Sequence, residues 1–250
     1  MDYEERFVAY IDILGFEDLI DQSVEPSPSI TPAEIKEALK VPIPVGKDII
    51  VFTQIGDISD SGHRMTAFSD CVAITTLPTE KGLFHLVHHA SVIGFNLFQK
   101  KLLCRGGITR GLIYNDEDAT FGPAMNEAVN MEKYIAQQPR IILNPDVVTF
   151  GLQGSLGKFF ARFIRKDDDG CYYVHILRVL RFIMDCETEP PADIRDLCKK
   201  INEHLKNEID RLPEKELKKV LWFKKYFDWA QDRSALDSLK GPAVDFFFDN

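Results

Sequence analysis

The chain lacks several features that mark specialised classes of protein. It has only five cysteines and no Cys-x-x-Cys pair, which excludes a zinc ribbon and argues against a disulfide framework. Its net charge is −9 and no basic run exceeds a Lys-Lys pair, which disfavours a sequence-independent nucleic-acid surface. No apolar run approaches the roughly 20 residues that span a bilayer, and no signal-type segment follows the acidic first residues. We therefore expect a soluble, cytoplasmic protein that binds neither nucleic acid nor membrane.

What the chain does have is enough length and apolar content for a substantial core. It contains 250 residues, of which 45% are hydrophobic and 28% charged, values typical of a globular protein. Strands are predicted at residues 7–14, 49–52, 65–68, 71–75, 104–114 and 139–143, with two more strand-like pieces around the charged turn 166–170, ending near Leu180. Helices are predicted after Gly15, from Thr31, over 82–103 and from Phe121 to about Ala136.

This order of strands and helices predicts an α/β sandwich with a mixed, mostly antiparallel sheet. From Pro190 onward the chain is charged and helical in period, without a β-rich run. We therefore expect one catalytic domain over residues 1–185 and a C-terminal helical extension over residues 186–250.

Two of the predicted strand regions carry an aspartate among apolar residues. Asp12 lies within the run Phe7–Phe16, and Asp70 lies at the turn of the predicted hairpin 65–75. An ionised carboxylate in a buried strand costs on the order of several kcal/mol unless a cation or hydrogen bonds compensate it. One shared divalent cation, Mg²⁺ or Mn²⁺, would compensate both. The alternative is that each aspartate only caps a local turn.

A third segment, Arg105–Gly111, supplies cations and bare backbone suited to a polyphosphate. Arg105 and Arg110 are five residues apart on a predicted strand, so their side chains should point to opposite faces of the sheet. Only one of the two can therefore face the site, and we expect the other to form a surface ion pair.

Four motifs, in order, resemble those of the class III nucleotide cyclases, whose fold is ferredoxin-like. Asp12 and Ile13, in Arg6–Ile13, match the family's first metal position, and Asp70, in Phe68-Ser69-Asp70, matches the second metal ligand. Arg105, in Arg105–Gly111, matches the arginine that contacts the triphosphate, and Asn126, in Phe121–Ala128, matches the asparagine that orients the ribose.

The resemblance implies a reaction, its cofactors and an assembly. The 3′-hydroxyl of a nucleoside triphosphate attacks its own α-phosphate and expels pyrophosphate, with two Mg²⁺ or Mn²⁺ ions held in each site. In this family the carboxylates and the helix asparagine come from different protomers. A homodimer with two composite sites is therefore expected.

The chain departs from the family pattern at the positions that read the base and hold the reacting phosphorus. Asn130 stands where an arginine is usual, and Arg140 could supply the missing cation or be an ordinary structural arginine. Thr66 and Ala119 occupy the base-reading positions, and neither carries a purine code. The pattern is most similar to the pyrimidine cyclases of bacterial Pycsar anti-phage systems, which make cyclic UMP or cyclic CMP.

Other functions remain open at the level of sequence. They are a cyclase-like module that binds a nucleotide without turnover, a purine cyclase, and a relative of polymerase palms or diguanylate cyclases. The last is disfavoured because the hairpin carries no Gly-Gly-Asp/Glu-Glu-Phe run. His85, His88 and His89 suggest a zinc site, but no HExxH arrangement accompanies them, and a solvated polar helix face is the expected alternative.

Overall fold

The computed structural model describes residues 2–28, 30–39, 58–116, 118–186 and 189–232, so the predicted strand at 49–52 and the end of the helical extension lie outside the described residues. The strands are β1 (Glu4–Ile13), β2 (Arg64–Phe68), β3 (Cys71–Thr76), β4 (Cys104–Asn115), β5 (Thr120–Phe121), β6 (Ile141–Leu143), β7 (Ile164–Lys166) and β8 (Tyr172–Val174). The α-helices are α1 (Phe16–Ser23), α2 (Pro32–Ala38), α3 (Glu80–Gln99), α4 (Pro123–Asn130), α5 (Pro145–Gln153), α6 (Gly157–Phe160), α7 (Arg178–Cys186), α8 (Ala192–Arg211) and α9 (Glu214–Gln231). A π-helical segment, Met131–Ala136, continues α4.

The described strands form a single mixed sheet in the order β2-β3-β1-β4-β6-β8-β7, with β5 paired to the end of β4. β4 and β6 run parallel, and the other described strand pairs run antiparallel. The predicted α/β architecture with a mixed, mostly antiparallel sheet is confirmed.

Alternation along β1, an inner strand, gives the sheet two different faces. Phe7 and Ile11 point into the main core, which α3 covers. Val8 and Tyr10 point the other way and pack against α4. By the same alternation Asp12 lies on the α4 side, near the end of the strand.

α3 is buried on almost every side, which makes the prediction of a solvated histidine face wrong. His85, His88 and His89 are only 0%, 8% and 5% exposed. The reason is a second layer of structure on the far side of the helix. The ring of His88 lies 5.6 Å from that of Phe163, and Nδ1 of His89 lies 2.7 Å from Nε2 of His63. Among the described residues, no group of three or more His, Cys, Asp and Glu side chains is arranged to hold a metal ion.

α4 lies very close to β4, because glycines stand where the helix passes over the strand. A Cβ at Gly107 would lie 2.5 Å from the carbonyl oxygen of Ala128, and one at Gly111 would lie 3.4 Å from the Cβ of Ala124. The helix predicted to end near Ala136 does end there, but its last turns are π-helical.

The C-terminal helices share the main core with the sheet. Phe227 of α9 is fully buried, and its ring lies 5.2 Å from that of Phe98 at the end of α3. The indole nitrogen of Trp222 donates a hydrogen bond of 2.9 Å to Asp167 in the charged turn. The boundary between residues 185 and 186 stays a prediction.

Some elements differ from the prediction. α5 and α6 were not predicted, and residues 178–180 begin α7 instead of ending a strand. None of the helices in the described ranges is both long and apolar enough to cross a membrane.

Candidate active site

The fold brings Asp12 and Asp70 to the same end of two neighbouring strands. Asp12 lies opposite Cys71 in the pairing of β1 with β3, and Asp70 directly precedes Cys71. The backbone nitrogen of Ile13 donates a hydrogen bond of 2.7 Å to the carbonyl oxygen of Asp70. The hairpin turn itself places Ser69 in the left-handed region, with φ of 52°. Backbone hydrogen bonding therefore holds Asp12 and Asp70 next to each other.

The surroundings of Asp12 oppose its ionisation. Burial raises its pKa to about 6, and the nearby charges of Glu132 and Asp70 contribute in the same direction. The charges of Arg105 and Lys219 act in the opposite sense but do not outweigh these effects. A carboxylate in this state gains strongly from an added cation.

Glu132, which the sequence prediction missed, is a third carboxylate at this site. It is only 6% exposed, and it lies in the π-helical segment after α4. A signal for it was present in the sequence, because Ala124, Ala128 and Glu132 recur every four residues. The first two of these face the sheet, so the third should too.

Arg105 lies between Glu132 and Asp12. Its Nη2 forms an ion pair with Glu132 and lies 3.9 Å from a carboxylate oxygen of Asp12. Arg110 points to the opposite face, as predicted, where it packs over the ring of Phe7 and pairs with Glu5 at 2.9 Å. The structure therefore brings Arg105, and not Arg110, to the two aspartates.

Asn126 lies on the exposed side of α4, away from the sheet. Its helix neighbours Ala124 and Ala128 are buried against β4, whereas Asn126 and Asn130 are both exposed. Within one chain the amide of Asn126 therefore does not face Asp12.

Arg140 is engaged by structural partners. Its side chain is 2% exposed and forms ion pairs with Asp167 and Asp169 of the charged turn. The hydrogen bond from Arg140 lowers the pKa of Asp169 to about 2. Its Nε donates to the carbonyl oxygen of Ala136 at 3.2 Å. This environment matches the structural alternative, and a substrate role for Arg140 stays a prediction.

The two predicted base-reading positions lie in different settings. Thr66 is exposed on the edge strand β2, opposite Ala73, which is itself opposite Tyr10. It therefore shares the face of the sheet that carries Asp12. Ala119 lies in the turn between β4 and β5, where its backbone nitrogen donates a hydrogen bond of 2.8 Å to Asp116.

The residues present fit a magnesium or manganese site of the kind that substrate completes. Mg²⁺ is commonly held by one or two carboxylates, with substrate phosphates and water supplying the other ligands. Asp12 and Asp70 provide such a pair, and the pKa of Asp12 is raised by burial and, to a smaller extent, by the charges of Glu132 and Asp70. The backbone of Ile13, which was predicted to contribute to the metal site, follows Asp12 and is hydrogen-bonded to the backbone of Asp70.

No family model matches the chain, and no curated protein matches it. Among solved structures, it is similar to the catalytic core of a rhodopsin-guanylyl cyclase with converted specificity in complex with ATPalphaS. That match has 14% identity and a TM-score of 0.42, and it covers 70% of this chain and 97% of the other. A guanylyl cyclase domain of the RhoGC fusion protein from the aquatic fungus Blastocladiella emersonii matches with 14% identity and a TM-score of 0.41, covering 70% and 96%.

A third similar structure is a Class III adenylyl cyclase-like ATP-binding protein from Pseudomonas aeruginosa. It has 12% identity and a TM-score of 0.41, and the match covers 70% of this chain and 38% of the other.

Proposed function

We propose that the protein is a nucleotide cyclase that converts a pyrimidine nucleoside triphosphate, UTP or CTP, into its 3′,5′-cyclic form and pyrophosphate. The observation that carries the proposal is the placement of Asp12 and Asp70 side by side, with Arg105 on the same face of the sheet. These are three of the four residues that carry the motif resemblance.

Each residue has a distinct part in the proposed reaction. Asp12 and Asp70 would hold two Mg²⁺ or Mn²⁺ ions, which would lower the pKa of the 3′-hydroxyl and neutralise phosphate charge. Arg105 binds the β- and γ-phosphates, for which its guanidinium must leave Glu132. Asn126 holds the ribose so that the hydroxyl attacks the α-phosphorus in line with the departing pyrophosphate.

The exposure of Asn126 supports a site shared between two chains. An amide that points away from its own sheet can reach the carboxylates of a second copy, as the resemblance implies. The functional unit is then a homodimer with two composite sites.

The pyrimidine preference rests on what Thr66 and Ala119 lack. A threonine hydroxyl can make one or two hydrogen bonds and an alanine side chain none, so neither offers the paired contacts that read a purine edge. A smaller base selected mostly by pocket shape suits these residues. A role as a signal in anti-phage defence is part of the same proposal and rests on the resemblance to Pycsar cyclases.

A second candidate function is a nucleotide-binding module without turnover. Two observations favour it: Asn130 replaces the usual arginine, and Arg105 is already paired with Glu132.

Product identification tests the proposal. The protein is incubated with ATP, GTP, CTP or UTP and Mn²⁺, with the Asp12→Asn variant as a matched control. We expect cyclic UMP or cyclic CMP from the parent and none from the variant. Selective formation of cyclic AMP or cyclic GMP would overturn the pyrimidine preference alone. Binding without any cyclic product would favour the binding module.

A further inference from the structure

The candidate site is short of positive charge within its own sheet and α4. It gathers three carboxylates, of Asp12, Asp70 and Glu132, around the single guanidinium of Arg105. Arg140 is committed to the charged turn, and position 130 is an asparagine. A bound triphosphate would add several further negative charges.

The first half of α9 packs beside the end of the sheet that carries this site, through contacts of Trp222. Trp222 lies beside Arg140, with 5.8 Å between the guanidinium and the ring centre. The carbonyl oxygen of Arg140 accepts a hydrogen bond of 3.2 Å from the backbone nitrogen of Gly106, the residue after Arg105. Lys219 precedes Trp222 by three residues and therefore lies on the same side of the helix.

Lys219 differs from the other lysines of α9 in its surroundings, because Lys215 is exposed and the other three are paired with acidic residues. Lys218, Lys224 and Lys225 each form an ion pair, with Glu214, Asp228 and Asp168 respectively. Lys219 is half-buried and forms no ion pair with the part of the chain that the structure describes. Its positive charge, like that of Arg105, lowers the pKa of the Asp12 carboxyl group.

We propose that Lys219 is a phosphate-binding residue of this site, so that the C-terminal extension supplies a cation to the bound triphosphate. The inference rests on the proposed function for the identity of the ligand. A lysine suits this position, because its flexible stem lets the ammonium group follow the phosphates from a helix beside the site.

Phosphate affinity tests the inference with matched variants of one helix. Lys219→Gln removes the charge, Lys219→Arg keeps it, and Lys218→Gln removes the neighbouring charge, which pairs with Glu214. The probe is inorganic tripolyphosphate with Mg²⁺, measured by calorimetry, followed by KM and kcat for the preferred nucleotide. For Lys219→Gln we expect affinity about tenfold weaker and a raised KM, the scale of one charge-assisted hydrogen bond. Lys219→Arg should restore most of the affinity, and Lys218→Gln should match the parent.

Each other outcome is decisive. Equal tripolyphosphate affinity in Lys219→Gln and Lys218→Gln would overturn the role of Lys219 and leave the cyclase proposal intact. A loss that Lys219→Arg does not restore would mark a packing defect and also overturn it. If the parent needs Lys219 to bind tripolyphosphate but cyclises no nucleotide, the phosphate-binding role of Lys219 is supported and the proposed cyclase activity is overturned.

Discussion

Asp12 is the residue at which the physical state of the site is easiest to measure. It is partly buried and lies near other carboxylates, so folding favours its neutral form over its ionised form. Its pKa is about 6 in the folded chain, against about 3.8 for an unperturbed aspartate. Its ionisation therefore opposes folding: the full stability is present at low pH, and part is lost as the pH rises from about 4 through 6.

Asp12→Asn should therefore stabilise the metal-free protein at pH 8 and not at pH 4. After allowance for solvent screening, we expect a gain of about 1 kcal/mol, or a rise of about 2–4 °C in Tm. Thermal unfolding in chelator at the two pH values measures it, with the exposed Glu203→Gln of α8 as a control. Equal Tm values for Asp12→Asn and the parent at pH 8 would contradict the charge balance described for the site.

For individual residues, the sequence predicted the features that depend on the alternation of side chains along a strand, such as the opposite faces of Arg105 and Arg110. Asp12 and Asp70 were expected at one site because two aspartates in apolar strands suggest a shared cation, and Arg105 joined them through its motif match. Glu132 was missed although its spacing from Ala124 and Ala128 places it on the side of the helix that faces the sheet. The structural partners of Arg140 come from the turn at residues 166–170, so its ion pairs depend on tertiary structure.

Among the helices and strands, α3 shows what a hydrophobic pattern does not predict. Its apolar repeat correctly predicted a helix, but a repeat on one face says nothing about what covers the other. Ser91 near its middle donates a hydrogen bond of 3.0 Å to the carbonyl oxygen of His175 before α7, which shows how deeply the helix is enclosed. All three histidines of α3 are therefore core residues, and burial holds His88 and His89 neutral.

Protonation of these histidines should destabilise the fold in mild acid. Burial lowers the pKa of His88 to about 3 and that of His89 to about 2, below the ordinary value of about 6.5. Their contribution is therefore fully present above about pH 6.5 and is lost as the pH falls. Each can cost up to about 1.4 kcal/mol per pH unit below that value.

Urea unfolding at pH 7 and pH 5 measures this loss. His88→Gln should show a shallower dependence on pH than the parent, because one titrating group is gone. An equally steep dependence on pH in His88→Gln and in the parent would contradict the burial of a neutral His88.

For the whole molecule, the decisive question is whether one chain holds a whole site. The strand β2 is exposed along its length, and Phe68 beside the hairpin turn is 77% exposed. Together with the outward position of Asn126, this leaves the part of the sheet next to Asp70 open to a second copy.

Complementation between inactive variants tests this assembly. Mixing Asp70→Ala with Asn126→Ala should restore about a quarter of the parent activity, since about half the dimers are mixed and each of those holds one intact site of two. Mixing Asp12→Ala with Asp70→Ala should restore none, because both changes affect the same half of the site. Subunit exchange is confirmed by mass; exchange without rescue in the first mixture would mean that each chain carries a complete site.

The inner position of β1 also has a consequence for how the chain is made. β1 leaves the ribosome well before its two neighbours in the sheet, Cys71–Thr76 and Cys104–Asn115. Until Asn115 has emerged, the apolar run Phe7–Ile13 has no complete sheet to join. The nascent chain must keep that run from mispairing, which makes early synthesis the stage at which chaperones matter most.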